Sequence, residues 1–532
     1  MSRTSHRPMA VLGLVAALLA DVGCSSRIET SQGTGTGTTT APSTPKSSAA
    51  RGDVGAGKLF GDWPTPAGAL IVSGEQDGYL EPCGCTSGQQ GGLRRRFELV
   101  ARLLDRGWPL TLIDLGSLIK DPATARGGPD QVKIKLVVSL NALGLMKYDA
   151  LALSAEDLKV GVGEALGQFL NLGERPKVVV ANVSATGFEA VMPPSLRTSA
   201  GPLKVGITAV LDPDAFRSIK DADKDALLAI KPPAEALPAV LADLKKDTDV
   251  QVLMVQGAPE RARALAEAFP DFDVVVGTSR FADPAADPER LNGGKTMLVT
   301  VGHKGKYVGV VGLFRDPNQP LRYRRVSLDH RFDGPAEPMR KLIEEEFQHM
   351  LEREHVVENY PRHAYVGGTP GATFVGAETC KSCHPNTFNK WASTRHARAF
   401  EDIVHDPKGV RSDHQFDAEC VSCHTTGFEY TSGWQSAEKT SYLKGNQCEN
   451  CHGPASKHVS DPGNPEFRKA IARTAADADR NRFCIRCHDE DNSPHFEFAT
   501  YWGQIAHKGL DTYTDAKVRR GPAPKVARQG ER

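Results

Sequence analysis

Four short stretches in the last third of the chain share one pattern of cysteine and histidine. Each reads C-x-x-C-H, and they begin at Cys380, Cys420, Cys448 and Cys484. This is the attachment sequence of c-type haem, because two thiols at this spacing can add to both vinyl groups of one porphyrin and the next histidine can bind its iron. Two zinc sites would use the same cysteines but would not explain a histidine after every pair. The pattern predicts four covalently bound haem c groups, attached through Cys380, Cys383, Cys420, Cys423, Cys448, Cys451, Cys484 and Cys487, with His384, His424, His452 and His488 as proximal iron ligands.

The N-terminus predicts export from the cytoplasm. Arg3 and Arg7 precede an apolar stretch, residues 9–20, that is too short for a stable membrane-spanning helix. A small residue followed by Cys24 resembles a bacterial lipoprotein signal, although Asp21 departs from the usual aliphatic residue, so ordinary secretion is the alternative. We expect residues 1–24 to be the signal and Cys24 to carry a lipid anchor, which places the protein in the periplasm or cell envelope.

Composition limits the other functions of the chain. Lys plus Arg and Asp plus Glu are balanced at 65 each, so bulk charge does not favour a nucleic-acid partner. No later segment is long and apolar enough to cross a bilayer. Residues 25–62 are rich in Ser, Thr and Gly and are expected to be a disordered linker, and residues 516–532 a basic, disordered tail.

Residues 63–330 predict an α/β domain, because short apolar runs alternate with helical patterns. The predicted strands are 69–73, 110–114, 150–153, 177–180, 203–210, 250–255 and 274–276. The predicted helices are 93–104, 132–145, 235–245 and 260–268. Three later strands, 296–301, 307–314 and 321–328, are predicted to form an appended antiparallel set.

The order of these elements resembles the metallophosphatase domain of the periplasmic 5′-nucleotidase family. Residues 143–161 resemble its segment ending in Gly-Asn-His-Glu-Phe, and residues 298–313 resemble its closing hairpin. The resemblance implies a two-metal hydrolase, but the metal-binding imidazoles are replaced, as in Glu75-Gln76-Asp77 and Val255-Gln256. The mature chain up to Leu328 contains a single histidine, His303, which falls in the hairpin. We therefore expect an inactive domain.

Three features of this domain have open interpretations. The acids Asp77, Asp114, Glu156 and Asp157 either bind a cation through oxygen or are ordinary strand-end acids. Cys83 and Cys85 resemble a Leu-Glu-Pro-Cys-Gly-Cys segment of phosphatase-like domains fused to multihaem cytochromes, and are either a redox-active or metal-binding pair or a brace of their loop. The run Arg94–Arg96 either binds an anion or forms a solvated helix face.

The C-terminal half is predicted to contain a connecting segment and a second domain. Within residues 331–373, apolar residues recur at helical spacing, which predicts a helix packed against a neighbour: Met339, Leu342, Ile343, Phe347 and Leu351. Residues 374–515 have few long apolar runs, so we expect a mainly α, loop-rich domain whose missing core volume is supplied by haem.

This second domain resembles the cytochrome c-554 family of tetrahaem electron carriers. The resemblance covers the first motif with its following Trp391 and His396, then CVSCHTTGF from Cys420, CENCHGPASKH from Cys448, and the segment after Cys484. The order of domains is also similar to one branch of that family, in which a phosphatase-like domain precedes the haem domain.

The resemblance implies His396 and His458 as distal iron ligands. His507, which closes the sequence Y-W-x-x-I-x-H, is the third candidate, and His414 and His495 compete for the fourth haem. No methionine lies between Ala372 and the C-terminus, so bis-histidine ligation with low potentials is expected. A haem that no histidine reaches would be five-coordinate, and the family contains such a haem.

The sequence thus predicts a tetrahaem c-type cytochrome that transfers electrons between redox partner proteins. One alternative is a multihaem oxidoreductase acting on a small nitrogen or sulfur oxyanion at a five-coordinate haem. Another is a metal-dependent phosphoesterase in the α/β domain. In a third, non-catalytic alternative that domain only docks a partner protein.

Overall fold

The computed structural model describes residues 59–82, 87–222, 224–404, 413–480 and 483–511. The predictions for the signal, Cys24, linker residues 25–58, Cys83, Cys85 and the basic tail fall outside these residues. The prediction of a disordered linker is wrong at residues 59–62, because Phe60 is buried against Trp63 and Trp108 of the α/β domain. From residue 59 onward the described residues belong to one compact unit. None of its helices combines the length and apolarity that crossing a membrane requires.

Fourteen strands lie in the described part of the chain, all before residue 328. They are β1 Gly68–Ser73, β2 Leu110–Asp114, β3 Ala150–Ala152, β4 Lys177–Val179, β5 Val183–Ala185, β6 Ser195–Ala200, β7 Leu203–Leu211, β8 Leu228–Ile230, β9 Val250–Gln256, β10 Val274–Thr278, β11 Glu289–Leu291, β12 Thr296–Val301, β13 Tyr307–Leu313 and β14 Leu321–Ser327. One six-stranded sheet has the order β14-β13-β1-β2-β3-β4, a second has the order β11-β12-β10-β9-β7-β6, and β5 pairs with β8.

The two large sheets pack face to face, with helices on their outer faces. Side chains alternate along each strand, so Leu70 and Val72 of β1 enter the core between the sheets while Ile71 enters the core under the helices. The outer core of the second sheet contains Leu237 and Ala262 from its covering helices. The predicted α/β class is confirmed, in the form of a four-layer arrangement.

The helices of this domain are α1 Leu93–Asp105, α2 Gly128–Leu145, and then Ala155–Leu158, Val162–Leu170, Pro213–Arg217, Lys224–Leu227, Pro233–Leu244 and Pro259–Ala268. Short 3₁₀ turns span Asn292–Gly294, His303–Gly305 and His330–Phe332. The predicted helix beginning at 132 starts at Gly128, because Pro129 suits a first helical turn.

One sheet prediction is wrong. The strands predicted at 296–301, 307–314 and 321–328 do not form a single antiparallel set. β12 runs parallel to β10 in the second sheet, whereas β13 is antiparallel to both β1 and β14 in the first. The 3₁₀ turn His303–Gly305 therefore carries the chain from one sheet to the other, which turn residues alone could not reveal.

The connecting helix is interrupted by a π-helical stretch. Its parts are Glu337–Arg340, the π segment Lys341–Glu346 and Phe347–Arg353. The five apolar residues predicted to pack are all buried in the core that includes α1 and α2. The π segment turns Glu344 inward, where it is 6% exposed.

After residue 374 the described chain contains no strand and only short helices, which confirms the predicted mainly α, loop-rich class. The α-helices are Ala377–Lys381, Pro385–Ala392, Glu401–Val404, Ala418–His424, Cys448–His452, Ser456–Ser460, Pro465–Ile471, Ala475–Arg480 and Phe498–Ile505. The 3₁₀ turns are Arg395–Arg398, Ser441–Leu443 and Cys484–Arg486. Two of the four C-x-x-C-H stretches are helical, the first begins in the last two residues of a helix, and the fourth starts a 3₁₀ turn. Each places its cysteines and histidine around a single turn.

Candidate haem sites

Three of the motif histidines each face a second imidazole. His384 lies opposite His458, with ring centroids 6.5 Å apart. His488 lies opposite His396 at 6.0 Å, and His452 lies opposite His507 at 5.8 Å. The structure thus brings together the three distal candidates and three of the proximal candidates, and it gives the pairing that the sequence could not.

Several of these imidazoles are held by a hydrogen bond at Nδ1. The Nδ1 atom of His452 lies 2.7 Å from the carbonyl oxygen of Ile471, and that of His507 lies 3.0 Å from the carbonyl oxygen of Ile505. His488 Nδ1 is 2.9 Å from the Ser493 hydroxyl. A proton fixed on Nδ1 leaves Nε2 as the free metal-binding nitrogen, which is the usual arrangement of histidine ligands.

Burial also keeps most of these rings uncharged. It lowers the pKa of five paired histidines below its ordinary value: His384, His396, His452, His458 and His488. Neutral imidazole is the form that binds metal. The same burial would penalise two imidazolium ions facing each other, so a metal cation between neutral rings is the favourable occupant.

None of the eight motif cysteines forms a disulfide. Those of Cys380 and Cys448 lie within hydrogen-bonding reach of each other, as do those of Cys423 and Cys487. The first motif therefore adjoins the third, and the second adjoins the fourth. Thiols that form no disulfide, beside facing imidazoles, are the donor set that covalent haem requires, so these residues fit the group.

His424 differs from the other proximal candidates. Its Nδ1 is hydrogen-bonded to the carbonyl oxygen of Ala399, and burial lowers its pKa. Among the described residues, however, no second imidazole ring lies opposite it. Of the two candidates for this position, His414 lies close enough to interact electrostatically with His424 but approaches Glu344, and His495 lies beside Gly88.

His414 occupies a buried polar cluster beside the second motif. Its ligand atoms and those of Asp417 and Cys420 lie within 4.8 Å of one another. His414 Nε2 is buried and, among the described residues, has no hydrogen-bond partner, and the Glu344 carboxylate is 3.8 Å away. Glu344 in turn pairs with Arg94 at 3.2 Å. This chain of charged groups connects the α/β domain to the second motif.

The second motif is held in place by helix α2. The Gln131 side chain, which is fully buried, donates to Asp417 Oδ1 at 2.8 Å and accepts from the amide of Ala418 at 2.9 Å. Lys135 donates to Glu419 at 2.7 Å. These bonds fix the first turn of Ala418–His424, and hence the position of Cys420 and His424.

The fourth motif is held by charged contacts with the α/β domain. Asp491 accepts from Lys306 at 2.7 Å and also pairs with Lys304, while its backbone oxygen accepts from Gln89 at 2.8 Å. Arg126 bonds Asp489 at 3.2 Å and lies 3.7 Å from Cys423 Sγ. The sequence does not reveal these interdomain contacts, because their α/β-domain residues, Gln89, Arg126, Lys304 and Lys306, belong to no haem motif.

The arginine run of α1 is not a solvated face. Arg96 is 1% exposed and its guanidinium lies 3.3 Å from Asp114, at the end of β2. It also donates to Ser73 at 3.4 Å and to Gln76. Arg94 pairs with Glu344 and Arg95 with Asp333. The positive charge beside Asp114 is therefore supplied by the chain itself.

The other predicted oxygen ligands do not converge. Asp157 accepts from the amides of Leu118 and Ile119, and Glu156 pairs with Lys159 at 2.8 Å. Asp77 instead lies close to Glu75 and His303. The sequence pattern does not predict that His303 lies near these two acids. The chain crossing from the second sheet to the first brings it to them.

Comparison with known proteins supports the cytochrome prediction. Residues 379–453 match the family model of cytochrome c554 and c-prime. Cytochrome c-554 of Nitrosomonas europaea is 29% identical over 136 residues, which cover 22% of this chain and 58% of that protein. The predicted resemblance of the C-terminal domain is confirmed, and it supports a c-type cytochrome carrying covalent haem c.

The α/β domain is similar in fold to solved phosphoesterase structures. A 5′-nucleotidase precursor from Thermus thermophilus has a TM-score of 0.45 and 18% identity, covering 56% of this chain and 60% of that chain. The calcineurin-like phosphoesterase YfkN from Bacillus subtilis has a TM-score of 0.43 and 16% identity, covering 54% of this chain and 98% of that chain. The likeness concerns the fold alone.

Proposed function

We propose that this protein is an extracytoplasmic tetrahaem cytochrome that passes single electrons between redox partner proteins. One observation carries the proposal: three motif histidines each lie opposite a further imidazole, with ring centroids 5.8–6.5 Å apart. Two metal–nitrogen bonds of about 2 Å, with roughly 1 Å from each nitrogen to its ring centre, require a separation of roughly 6 Å. The spacing therefore suits one iron between each pair.

Haem supplies reversible one-electron chemistry when it is bound. The chain contributes the covalent thiols, two facing imidazoles at each of three sites, and Nδ1 hydrogen bonds that orient several of the rings. Paired histidine ligands favour lower potentials than a histidine–methionine pair. The closeness of the first and third motifs, and of the second and fourth, favours electron passage within each pair.

The proposed site residues are those predicted from the sequence, with one change. His384, His452 and His488 are the proximal ligands of three sites, and His458, His507 and His396 are their respective distal ligands. His424 is the proximal ligand of the fourth site, and His414 is not proposed as its distal ligand because it faces Glu344. Export and a lipid anchor at Cys24 complete the proposal and rest on the sequence pattern.

The test is a haem stoichiometry combined with electron paramagnetic resonance on the exported protein. We expect four haems per chain, three of them low-spin, and one high-spin iron. His458→Ala, His396→Ala and His507→Ala should each convert one low-spin signal to a high-spin signal. His349→Ala, on an exposed helix face, should change none of the signals. A colourless protein, or distal variants with unchanged spectra, would contradict the proposal.

A second function is favoured at the site of His424. No described imidazole lies opposite this ring, and the buried His414–Glu344 pair lies at its motif. Such a site could reduce a small nitrogen or sulfur oxyanion with electrons from a redox partner protein, His414 passing on the protons that the reduction consumes, or oxidise one with the partner accepting the electrons and His414 the protons. Turnover of nitrite, hydroxylamine or sulfite should be measured in the wild type and in His414→Gln. Activity that is absent, or equal in both proteins, would leave electron transfer as the only supported function.

The phosphoesterase alternative has less support. A two-metal hydrolase needs several imidazoles around the strand ends, and His303 is the sole histidine that the described strand-end loops contribute. Arg96 already neutralises Asp114.

A further inference from the structure

One arginine of the α/β domain contacts two haem motifs at once. Arg126 lies in the loop before α2, and its Nη2 atom donates to Asp489, the residue after His488 of the fourth motif, at 3.2 Å. Its Nη1 atom lies 3.7 Å from Cys423 Sγ in the second motif. We propose that Arg126 raises the reduction potentials of the haems attached at these two motifs, an inference that rests on the proposed function.

The loop that carries Arg126 is anchored to the second motif. The Tyr360 hydroxyl donates to the backbone oxygen of Arg126 at 3.2 Å. The Tyr360 ring packs against Phe428, which closely follows the second motif, with ring centroids 4.4 Å apart. Backbone and side chain of Arg126 therefore bind the same part of the haem domain, which fixes the position of the guanidinium relative to Cys423.

The sign of the effect follows from charge. Reduction adds one electron to a haem, so a neighbouring cation favours the reduced form and a neighbouring anion favours the oxidised form. Cys423 is an attachment residue, so a charge beside its sulfur is a charge beside the haem. Arg126 acts twice in the same direction, because it brings a positive charge to Cys423 and offsets the negative charge of Asp489. Both contributions raise the potential.

The effect should be local to one half of the haem domain. The thiols of Cys423 and Cys487 lie within hydrogen-bonding reach of each other, so the second and fourth motifs share the charge. Among the described residues, the side-chain contacts of Arg126 involve these two motifs and neither the first nor the third. An electron in the protein should therefore spend more of its time at this pair than it would without Arg126. The α/β domain thereby contributes to electron transfer without any hydrolytic chemistry.

The experiment is a redox titration of the full-length protein with its haems attached, followed by electron paramagnetic resonance. The high-spin signal reports the haem at His424, and the low-spin signal that His396→Ala converts reports the haem at His488. In Arg126→Gln both signals should titrate at lower potential than in wild type, while the haems at His384 and His452 keep their potentials.

Two further variants test the charge itself. Arg126→Lys keeps the positive charge, so its potentials should lie closer to wild type than those of Arg126→Gln. Asp489→Asn removes the negative charge and should shift the same two haems to higher potential. The asparagine keeps the side-chain oxygen that accepts from the amides of Asp491 and Asn492, so the turn after the fourth motif should persist.

The matched control is Arg197→Gln on β6. Arg197 is 38% exposed and pairs with two aspartates, whereas Arg126 is 34% exposed and pairs with one, and no described contact joins Arg197 to a motif. Such partly exposed ion pairs contribute little to stability, so these variants should fold. Arg197→Gln should leave every potential unchanged.

Haem content and reversible reduction of each variant separate the two proposals. Wild-type protein without four reducible haems would contradict the proposed function, and this inference with it. Intact haems whose potentials are unchanged in Arg126→Gln, or shift equally at all four sites, would overturn the role of Arg126 alone. If Arg126→Gln retained less haem, Asp489→Asn would decide: a rise confined to the two haems supports the proposal, and no rise overturns it.

Discussion

The two domains differ in what compensates their buried polar groups. At the strand ends of the α/β domain, Asp114 is neutralised by Arg96 from the same domain. In the C-terminal domain, the rings of His452 and His507 lie opposite each other, with centroids 5.8 Å apart. A buried carboxylate that the chain itself neutralises needs no ligand, whereas two facing imidazoles are stabilised by a metal ion bound between them. The difference indicates that redox chemistry belongs to the second domain.

The largest effect is expected from removing one covalent attachment. In Cys448→Ala/Cys451→Ala, the third motif loses both thiols while His452 and His507 remain, so one haem fewer should be retained per chain. The domain has little apolar core of its own, so its thermal stability should also fall sharply. Pyridine haemochrome analysis and circular dichroism measure both changes.

Ser382→Ala is the control for this change, because it alters an exposed position inside the first motif without removing a thiol. It should keep the full haem content. If the double-cysteine variant also kept its full haem content in a covalent form, the assignment of these cysteines would be wrong.

Arg96→Met should cost about 3–5 kcal/mol in the free energy of unfolding, because it leaves the buried Asp114 carboxylate uncompensated. Chemical denaturation followed by tryptophan fluorescence measures the loss. Arg96→Met/Asp114→Asn should recover most of it, since the unpaired charge is then removed as well. Equal stability of the single and double variants would show that the ion pair does not hold this strand end.

The motif chemistry could be read from the sequence, but the surroundings of the sites could not. Four C-x-x-C-H stretches define the thiols and proximal histidines by covalent chemistry, which needs no knowledge of the fold. The distal partners come from loops far apart in sequence, so His458 could be proposed as a ligand while its pairing with His384 required the structure.

Long-range pairing also explains the errors in the α/β domain. Arg96 lies in a run of arginines that is typical of a solvated helix face, yet α1 turns it under the first sheet. The sequence predicts that His303 lies in a hairpin, because the strands on either side of it follow one another closely. They belong to different sheets, and the turn between them brings His303 to Glu75 and Asp77.

A pH-dependent effect is expected at Asp157. Burial raises the pKa of this carboxyl from its ordinary 3.8 to about 7. The folded protein therefore keeps a proton that the unfolded chain releases, so this stabilisation is present at low pH and is lost as the pH rises from about 4 through 7. In Asp157→Asn the amide stays neutral, so the variant should gain roughly 2–4 kcal/mol relative to wild type between pH 5 and pH 8.

Unfolding by urea at the two pH values measures this difference. Asp225→Asn, at a side chain that is 86% exposed, is the control and should show no such change. If the difference in unfolding free energy between Asp157→Asn and wild type were the same at pH 5 and pH 8, Asp157 would be ionised throughout this range, like the acids that pair with lysine or arginine.

The smallest effect is expected where the two domains meet. Gln131→Leu removes the acceptor of the Ala418 amide and one donor to Asp417, so a buried amide is left unsatisfied at the start of the second motif. The expected cost is about 1–3 kcal/mol. Because the lost bonds fix Ala418–His424, the spectrum of the haem at His424 should broaden while those of the bis-histidine sites keep their shape. Gln168→Leu removes an exposed amide on another helix and should leave both stability and spectra unchanged. If Gln131→Leu matched this control, the α/β domain would not position the second motif, and its contact with the haem domain would be no more than adjacency.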